Sequence, residues 1–283
     1  MDEKSKSLLK IHGAVLLFGM SGLFAKLIEL PALMITLGRL FFSSIFLLSL
    51  NHYLVSSFRL ESRRDYGVMA FLGALLAAHW YSFFLSIQLS TVAIGLLSFS
   101  SFTIFVTFLE PLIFRERLRI ADVLTGSIAF FGIALIVPEF DFQNEATQGL
   151  LWGLFSGFTY GMLSILNRKA VEKYSGGIVA FYQQLFGTLI LLPTLLFVKV
   201  SPTHTDWALL VLLGILFTGV GHTLFIGGLR YIKAQTAAVI TCAEPVYAIF
   251  LAIFLLGEVP EWQVCLGGAV ILGTVVISSW RAK

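Results

Sequence analysis

Ionisable side chains are scarce in the apolar stretches of this chain, so each one found there invites a chemical reading. Glu244 stands near the centre of such a stretch and is followed by Pro245. A proline lacks the backbone donor and clashes with the preceding turn, which frees a carbonyl and kinks a helix. A protonatable carboxyl beside irregular backbone suits carrying a proton or binding an amine. The plainer alternative is a protonated glutamate that bonds a neighbouring helix. Arg39 offers five donors and keeps its charge. It suits a carboxylate or phosphate, and equally an ion pair with Glu29 or another carboxylate, or an outward-reaching side chain. His79 and His222 belong to the residue type that titrates near neutrality. Ser82 and Ser86 share a helical face with His79, and Thr218 and Gly214 share one with His222. Either histidine suits proton gating or plain packing.

Softer polar groups extend the set. Ser100, Thr103, Thr107 and Glu110 fall on one helical face, fit for the wall of a hydrated cavity. Alternatively, the hydroxyls bond back to their own helix and Glu110 pairs with Arg115 or Arg117. Gln183 and Gln184 occupy the place in the second half that Gly38 and Arg39 occupy in the first. Trp80, Tyr81, Tyr160, Tyr182 and Tyr247 lie away from helix ends; such rings suit an amphipathic organic ligand. The residues assigned to substrate binding are Arg39, His79, Trp80, Tyr81, Tyr160, Gln184, His222, Glu244 and Tyr247. Gly149, Gly153, Gly157 and Gly161 recur every fourth residue and form a ridge for close helix approach.

The elements that carry these residues follow from composition. Of 283 residues 58% are apolar and 12% charged, with a mean hydropathy of +0.91. A soluble domain carries roughly twice that charged fraction. The chain therefore reads as an all-α polytopic membrane protein. A soluble globular domain, a disordered chain and a nucleic-acid-binding domain are excluded. Cys242 and Cys265 both lie in apolar runs and offer neither a disulfide framework nor metal-ligand spacing. The N-terminal run lacks a small-residue cleavage site and reads as a retained span. Spans of about 20 apolar residues fall near 11–28, 32–53, 67–87, 92–113, 120–138, 148–167, 176–198, 206–228, 235–256 and 261–280. With a cytoplasmic N-terminus, 16 of the 19 lysines and arginines lie on the inner side; Lys26 and Lys199 lie outside and Arg39 within span 2. That asymmetry predicts both termini in the cytoplasm. Trp152, Trp207 and Trp262 at outer ends and Trp280 at an inner end form interfacial belts.

The two halves resemble each other at an offset of about 142 residues. FGMSGLFAK (18–26) aligns with YGMLSILNR (160–168), and DVLTGSIAFFGIALIV (122–137) with QVCLGGAVILGTVVIS (263–278). Glu116 and Glu258 sit in matching loops. Five spans per half is an odd number, so the second half enters from the opposite side: two inverted five-helix repeats, 1–138 and 148–283, joined by an outer linker at 139–147. Ten spans in this arrangement, the GE loop, and AAVITCAEPVYAIFLAIFLLGE (237–258) resemble the EamA-type family of the drug/metabolite transporter superfamily. The first half departs from that motif: Phe102 and Thr103 stand where Glu244 and Pro245 stand, and a Glu–Pro pair falls at Glu110–Pro111 instead. The resemblance implies a small-molecule transporter, often an exporter, in a cytoplasmic membrane, with spans 5 and 10 peripheral.

No nucleotide loop, dinucleotide fingerprint or metal-ligand pattern is present, so no cofactor, metal or catalytic residue is assigned. The expectation is a secondary transporter that exports a small metabolite, an amino acid or derivative favoured, by alternating access about a midplane site, with protons as the simplest coupling ion. Rival readings are drug efflux, uptake or exchange of a nucleotide-linked metabolite, a membrane sensor, and an intramembrane enzyme. Partners are then the substrate and the bilayer, with no nucleic acid, and the oligomer is a monomer or homodimer.

Overall fold

The computed structural model describes residues 2–54, 58–115, 120, 124, 127–128, 131–132, 135 and 141–281. Among these the secondary structure is helical throughout. Helix α1 (Glu3–Ser21) begins eight residues before the expected span. Asp2 caps it through Ser5, and Lys6 pairs with Glu3, so the charged leader continues the helix. A short helix α2 (Phe24–Leu27) completes span 1. Spans 2 and 3 are the unbroken helices α3 (Ala32–Leu54) and α4 (Arg63–Leu89). Ser62 and Asp65 form a reciprocal capping box at the start of α4, which fixes where that helix enters. Span 4 divides into α5 (Val92–Phe99) and α6 (Phe102–Phe114).

The second half repeats the plan with one change. Spans 6 and 7 are α7 (Glu145–Ala170) and α8 (Gly176–Leu191), the latter running into a 3-10 turn, Leu192–Leu196. Span 8 is α9 (His204–Leu212), a π-helical segment Leu213–Val220 and α10 (Gly221–Gly228). Span 9 divides into α11 (Ala234–Thr241) and α12 (Glu244–Leu256), and span 10 is α13 (Trp262–Arg281). Among the described residues eight helical stretches are long and apolar enough to cross a membrane, and they correspond to spans 1–4 and 6–9. Most of span 5, with Glu116, Arg117 and Arg119, lies outside the described residues.

Inverted repetition is visible in the packing. Span 3 packs on span 6 as span 8 packs on span 1, and span 4 packs on span 6 as span 9 packs on span 1. Half-helices cross reciprocally, α5 against α12 and α6 against α11. The breaks at Ser100–Ser101 and Cys242–Ala243 fall at equivalent positions. So do the two left-handed residues that end the second half-helices, Arg115 (φ 57°) and Gly257 (φ 68°). Pro245 therefore does not kink a continuous helix. It occupies the first turn after a break, where a missing N–H leaves no bond unmade. The first repeat makes the same break with serines and no proline.

The glycine ridge of α7 faces spans 3 and 4. A methyl group on Gly149 would stand 2.7 Å from Ser90, and one on Gly153 or Gly157 would overlap the hydroxyls of Ser98 or Ser101. Without an aqueous driving force, such close approach is what holds helices together in lipid. Span 10 touches the bundle at its edge, with Gly268 against Leu97, and Gly132 of span 5 stands beside Val270. At the face that carries the N-terminus, Lys173 bonds Asp65 at 2.8 Å and Glu61 at 3.0 Å. These bonds, Asp65 first, raise the affinity of Lys173 for its proton above the ordinary lysine range.

Candidate functional site

Spans 2, 3, 6, 8 and 9 deliver a closed group of polar side chains to the middle of the bundle. Arg39, on the face of α3 turned toward span 8, is wholly inaccessible. Its guanidinium carbon lies 3.2 Å from the Trp80 ring centroid and 5.1 Å from that of Phe84. Its Nε donates to Thr218 Oγ1 at 2.8 Å. Neither Nη1 nor Nη2 has a hydrogen-bond partner among the described residues. Arg39 thus neither reaches outward nor pairs with Glu29.

The π segment explains how Thr218 reaches Arg39. Its hydroxyl donates to the carbonyl of Leu213, five residues back, at 2.8 Å. Gly214 lets α3 approach: a methyl there would stand 2.6 Å from Phe42 Cβ and 3.1 Å from the Arg39 carbonyl. Span 3, the inverted counterpart, is continuous α-helix. The repeats therefore differ where the arginine is held, as π turns often do at functional sites.

Glu244 is buried at the first position of α12. It lies within electrostatic range of Arg39 and Tyr160 but has no ion pair within 4 Å and no hydrogen bond among the described residues. In the first repeat Phe102 takes the equivalent place and packs on Tyr160, ring centroids 5.3 Å apart. The two repeats therefore contribute one buried carboxylate between them at this level, not two.

Aromatic rings bind these groups into one layer. His79 lies 4.6 Å from Trp80 and 4.6 Å from Tyr160, ring to ring. Its Nδ1 meets Ser156 Oγ at 2.8 Å, so span 6 anchors it. Phe99 and Phe102 stack at 5.0 Å and close one side, while Phe225 lies 5.7 Å from Tyr160 on another. His222 stands 6.5 Å from Trp80. Its Nε2 pairs with Gln183 Oε1 at 3.2 Å, and the Gln183 amide donates to Asn167 Oδ1. Among the described residues the Nδ1 of His222, the indole N–H of Trp80 and the hydroxyl of Tyr160 are buried without a hydrogen-bond partner, as are, on α8, both amide atoms of Gln184. A buried polar atom left unsatisfied costs about 1–3 kcal/mol, so such a concentration marks a place arranged for something other than packing.

The structure brings Arg39, His79, Trp80, Tyr160, His222 and Glu244 together. Gln184 is buried on α8. Tyr81 turns away to pack on Trp152 at 5.9 Å, and Tyr247 is 44% exposed on α12, beside Gly19 of α1. The face of span 4 is buried, but its hydroxyls bond to their own helix, Thr107 to Thr103 O at 2.9 Å, and Thr103 also touches Cys242 Sγ at 3.1 Å. Glu110 pairs with Arg168 at 2.6 Å, not with Arg115. Sequence reasoning passed over the Asn167–Gln183 link and the role of Thr218. Only the position of Thr218 one turn before His222 hinted at the latter.

Comparison with known proteins accords with this geometry. The EamA-like transporter family matches residues 5–137 and again 147–280. An uncharacterized inner membrane transporter, YicL, of Salmonella typhimurium is 26% identical over 100% of this chain and 98% of its own. An S-adenosylmethionine uptake transporter of Rickettsia conorii is 24% identical over 87% of this chain and 82% of its own. A solved crystal structure superposes with a TM-score of 0.75 over 98% of each chain at 18% identity, which shows a shared fold. The paired match over both halves, on a bundle whose halves pack reciprocally about a closed polar centre, makes this chain a multi-pass membrane protein of the EamA-like transporter family.

Proposed function

We propose that this protein is a secondary transporter that carries an amino acid or amino-acid derivative across the cytoplasmic membrane by alternating access. Both termini lie in the cytoplasm in this reading, on the strength of the lysine and arginine distribution. The observation that carries the cargo assignment is Arg39, whose two buried Nη donors have no partner among the described residues, set within electrostatic range of Glu244, which is likewise unpaired among them. A guanidinium fork matches a carboxylate in two-point geometry, and a carboxylate matches an ammonium. The zwitterionic head of an α-amino acid presents both. Trp80 and Tyr160 then offer ring faces and single polar tips to the rest of the molecule.

Glu244 serves an ammonium or a proton but not both at once. That exclusion couples cargo leaving by one route to protons entering by the other, and it favours export, the direction the family resemblance implies. Uptake is a second reading, favoured by the Rickettsia relative, which is named for uptake of a molecule that is itself an amino-acid derivative.

The test is an untargeted comparison of metabolites in the medium of overexpressing and deletion cells, followed by flux of the leading compound in proteoliposomes. One amino compound that changes oppositely in the two strains supports the reading and gives the direction. Loss of the signal on R39A and E244Q places the site. Wild-type flux in both variants at normal expression would overturn it.

A further inference from the structure

Each end of the bundle carries a clasp in which a glutamate of one repeat grips a helix start in the other. At the end remote from the N-terminus, Glu258 of the second repeat accepts the Val92 amide, the first residue of α5, at 2.9 Å. Lys26, at the end of span 1, stands 4.0 Å from the same carboxylate and donates to Ser90 O at 2.9 Å. At the N-terminal end, Glu110 of the first repeat accepts the Ala234 and Gln235 amides, which open α11, at 3.1 and 2.9 Å. Arg168, at the end of span 6, completes that clasp at 2.6 Å.

The parts correspond under the inverted repeat. Lys26 and Arg168 are equivalent positions, and so are Val92 and Ala234. The carboxylates are not equivalent: Glu258 follows α12, whereas Glu110 lies a turn inside α6, where the second repeat has Ala252. Two different glutamates thus reach the same arrangement at opposite ends. Nothing in helix formation requires this, because a helix start can be capped by its own chain. What the two clasps share is that both cross the boundary between repeats, which is the boundary that must open at one end and then the other.

We infer that the Glu258–Lys26–Val92 and Glu110–Arg168–Ala234 clasps are the two gates of the transport route, and that the gate beside the N-terminus is the stronger. The inference rests on the alternating-access reading, not on the cargo. The asymmetry is direct. Among the described residues Glu110 makes three contacts of 3.1 Å or less with its side chain 5% exposed, while Glu258 makes one amide bond and a 4.0 Å ion pair with its side chain 23% exposed. Ion pairs gain strength as they are withdrawn from water and bonded on several sides. The protein at rest therefore opens more readily at the end remote from the N-terminus.

Cys242 reports on this without any cargo. It sits in the break of span 9 beside Glu244, buried, whereas Cys265 is exposed and is replaced by serine in the test background. A membrane-impermeant thiol reagent is applied to sealed vesicles of each orientation. Labelling of Cys242 is expected to be faster from the face remote from the N-terminus. E258Q and K26Q should each raise it from that face by about tenfold, the loss of a charged hydrogen bond. E110Q should raise it from the N-terminal face instead. In the unaltered chain, hydrogen exchange supplies a second reading, with the Gln235 amide better protected than the Val92 amide. Equal labelling from both faces in every variant, or better protection of Val92, overturns the inference. Gated labelling without amino-acid flux would leave it standing and count against the cargo assignment alone.

Discussion

The guanidinium of Arg39 and the indole of Trp80 lie one over the other, 3.2 Å from carbon to ring centroid, so span 3 carries the charge that span 2 brings in. A desolvated cation over tryptophan is worth about 2 kcal/mol or more. The stack fixes the guanidinium plane and leaves both Nη edges available. Replacing Trp80 by phenylalanine keeps a weaker π face and removes the indole N–H. Binding of the identified cargo, measured by calorimetry, should weaken several-fold in W80F and about tenfold or more in W80L. Unchanged affinity in W80L would remove the ring from the site.

Arg39→Lys conserves charge and little else. An ammonium cannot present a planar fork while stacked on a ring. Flux in proteoliposomes should fall about tenfold or more, as expected for losing one charged hydrogen bond. An analogue of the cargo without a carboxylate should be transported equally poorly by both forms. An R39A variant that still discriminates the two compounds would show that Arg39 does not read the carboxylate.

Glu244→Gln removes the only carboxylate among the described residues at the level of Arg39. Flux driven by an imposed pH gradient should disappear in this variant, whereas one-for-one exchange of cargo at equal pH should persist at reduced rate. Retention of gradient-driven flux would move proton coupling to another residue.

Packing of span 6 gives predictions that need no cargo. Gly153→Val would push a branched side chain into Ser98, and overpacking of this kind costs about 1–3 kcal/mol. Ser156→Ala would strip the hydroxyl from His79 Nδ1 and leave a buried polar atom with a poorer partner, at about 1–3 kcal/mol. Thermal unfolding in detergent should register both. G153A should fall between wild type and G153V.

The bundle was legible because its signals are long. Apolar runs and the placement of lysines and arginines sum over whole helices, and the repeat sums over half the chain. Single residues were legible where a charge had no business in lipid, as with Arg39 and Glu244. Tyr247 shows the limit: one aromatic at mid-span has the same sequence signature whether it is enclosed at the centre or, as here, 44% exposed. Thr218 shows another. Its contact with Arg39 depends on a π segment, and a shift of one residue per turn leaves no mark in a run as uniformly apolar as LGILFTGV. Gln183 escaped because its partners, Asn167 and His222, come from two other helices. Glu110 found Arg168 for the same reason, through contacts distant in sequence.

The two unpartnered nitrogens of Arg39 also bear on how fast a carrier of this design resets. A centre whose Arg39 donors and Glu244 carboxylate are hydrogen-bonded only by a passenger passes through its closed form more easily loaded than unloaded. In the alternating-access cycle proposed above, the unloaded return is then expected to be the slow step. Flux into cargo-free vesicles should be sluggish, and preloading the far compartment with the same compound should accelerate it. The same donors, left without partners in the idle protein, tax every crossing made without a passenger.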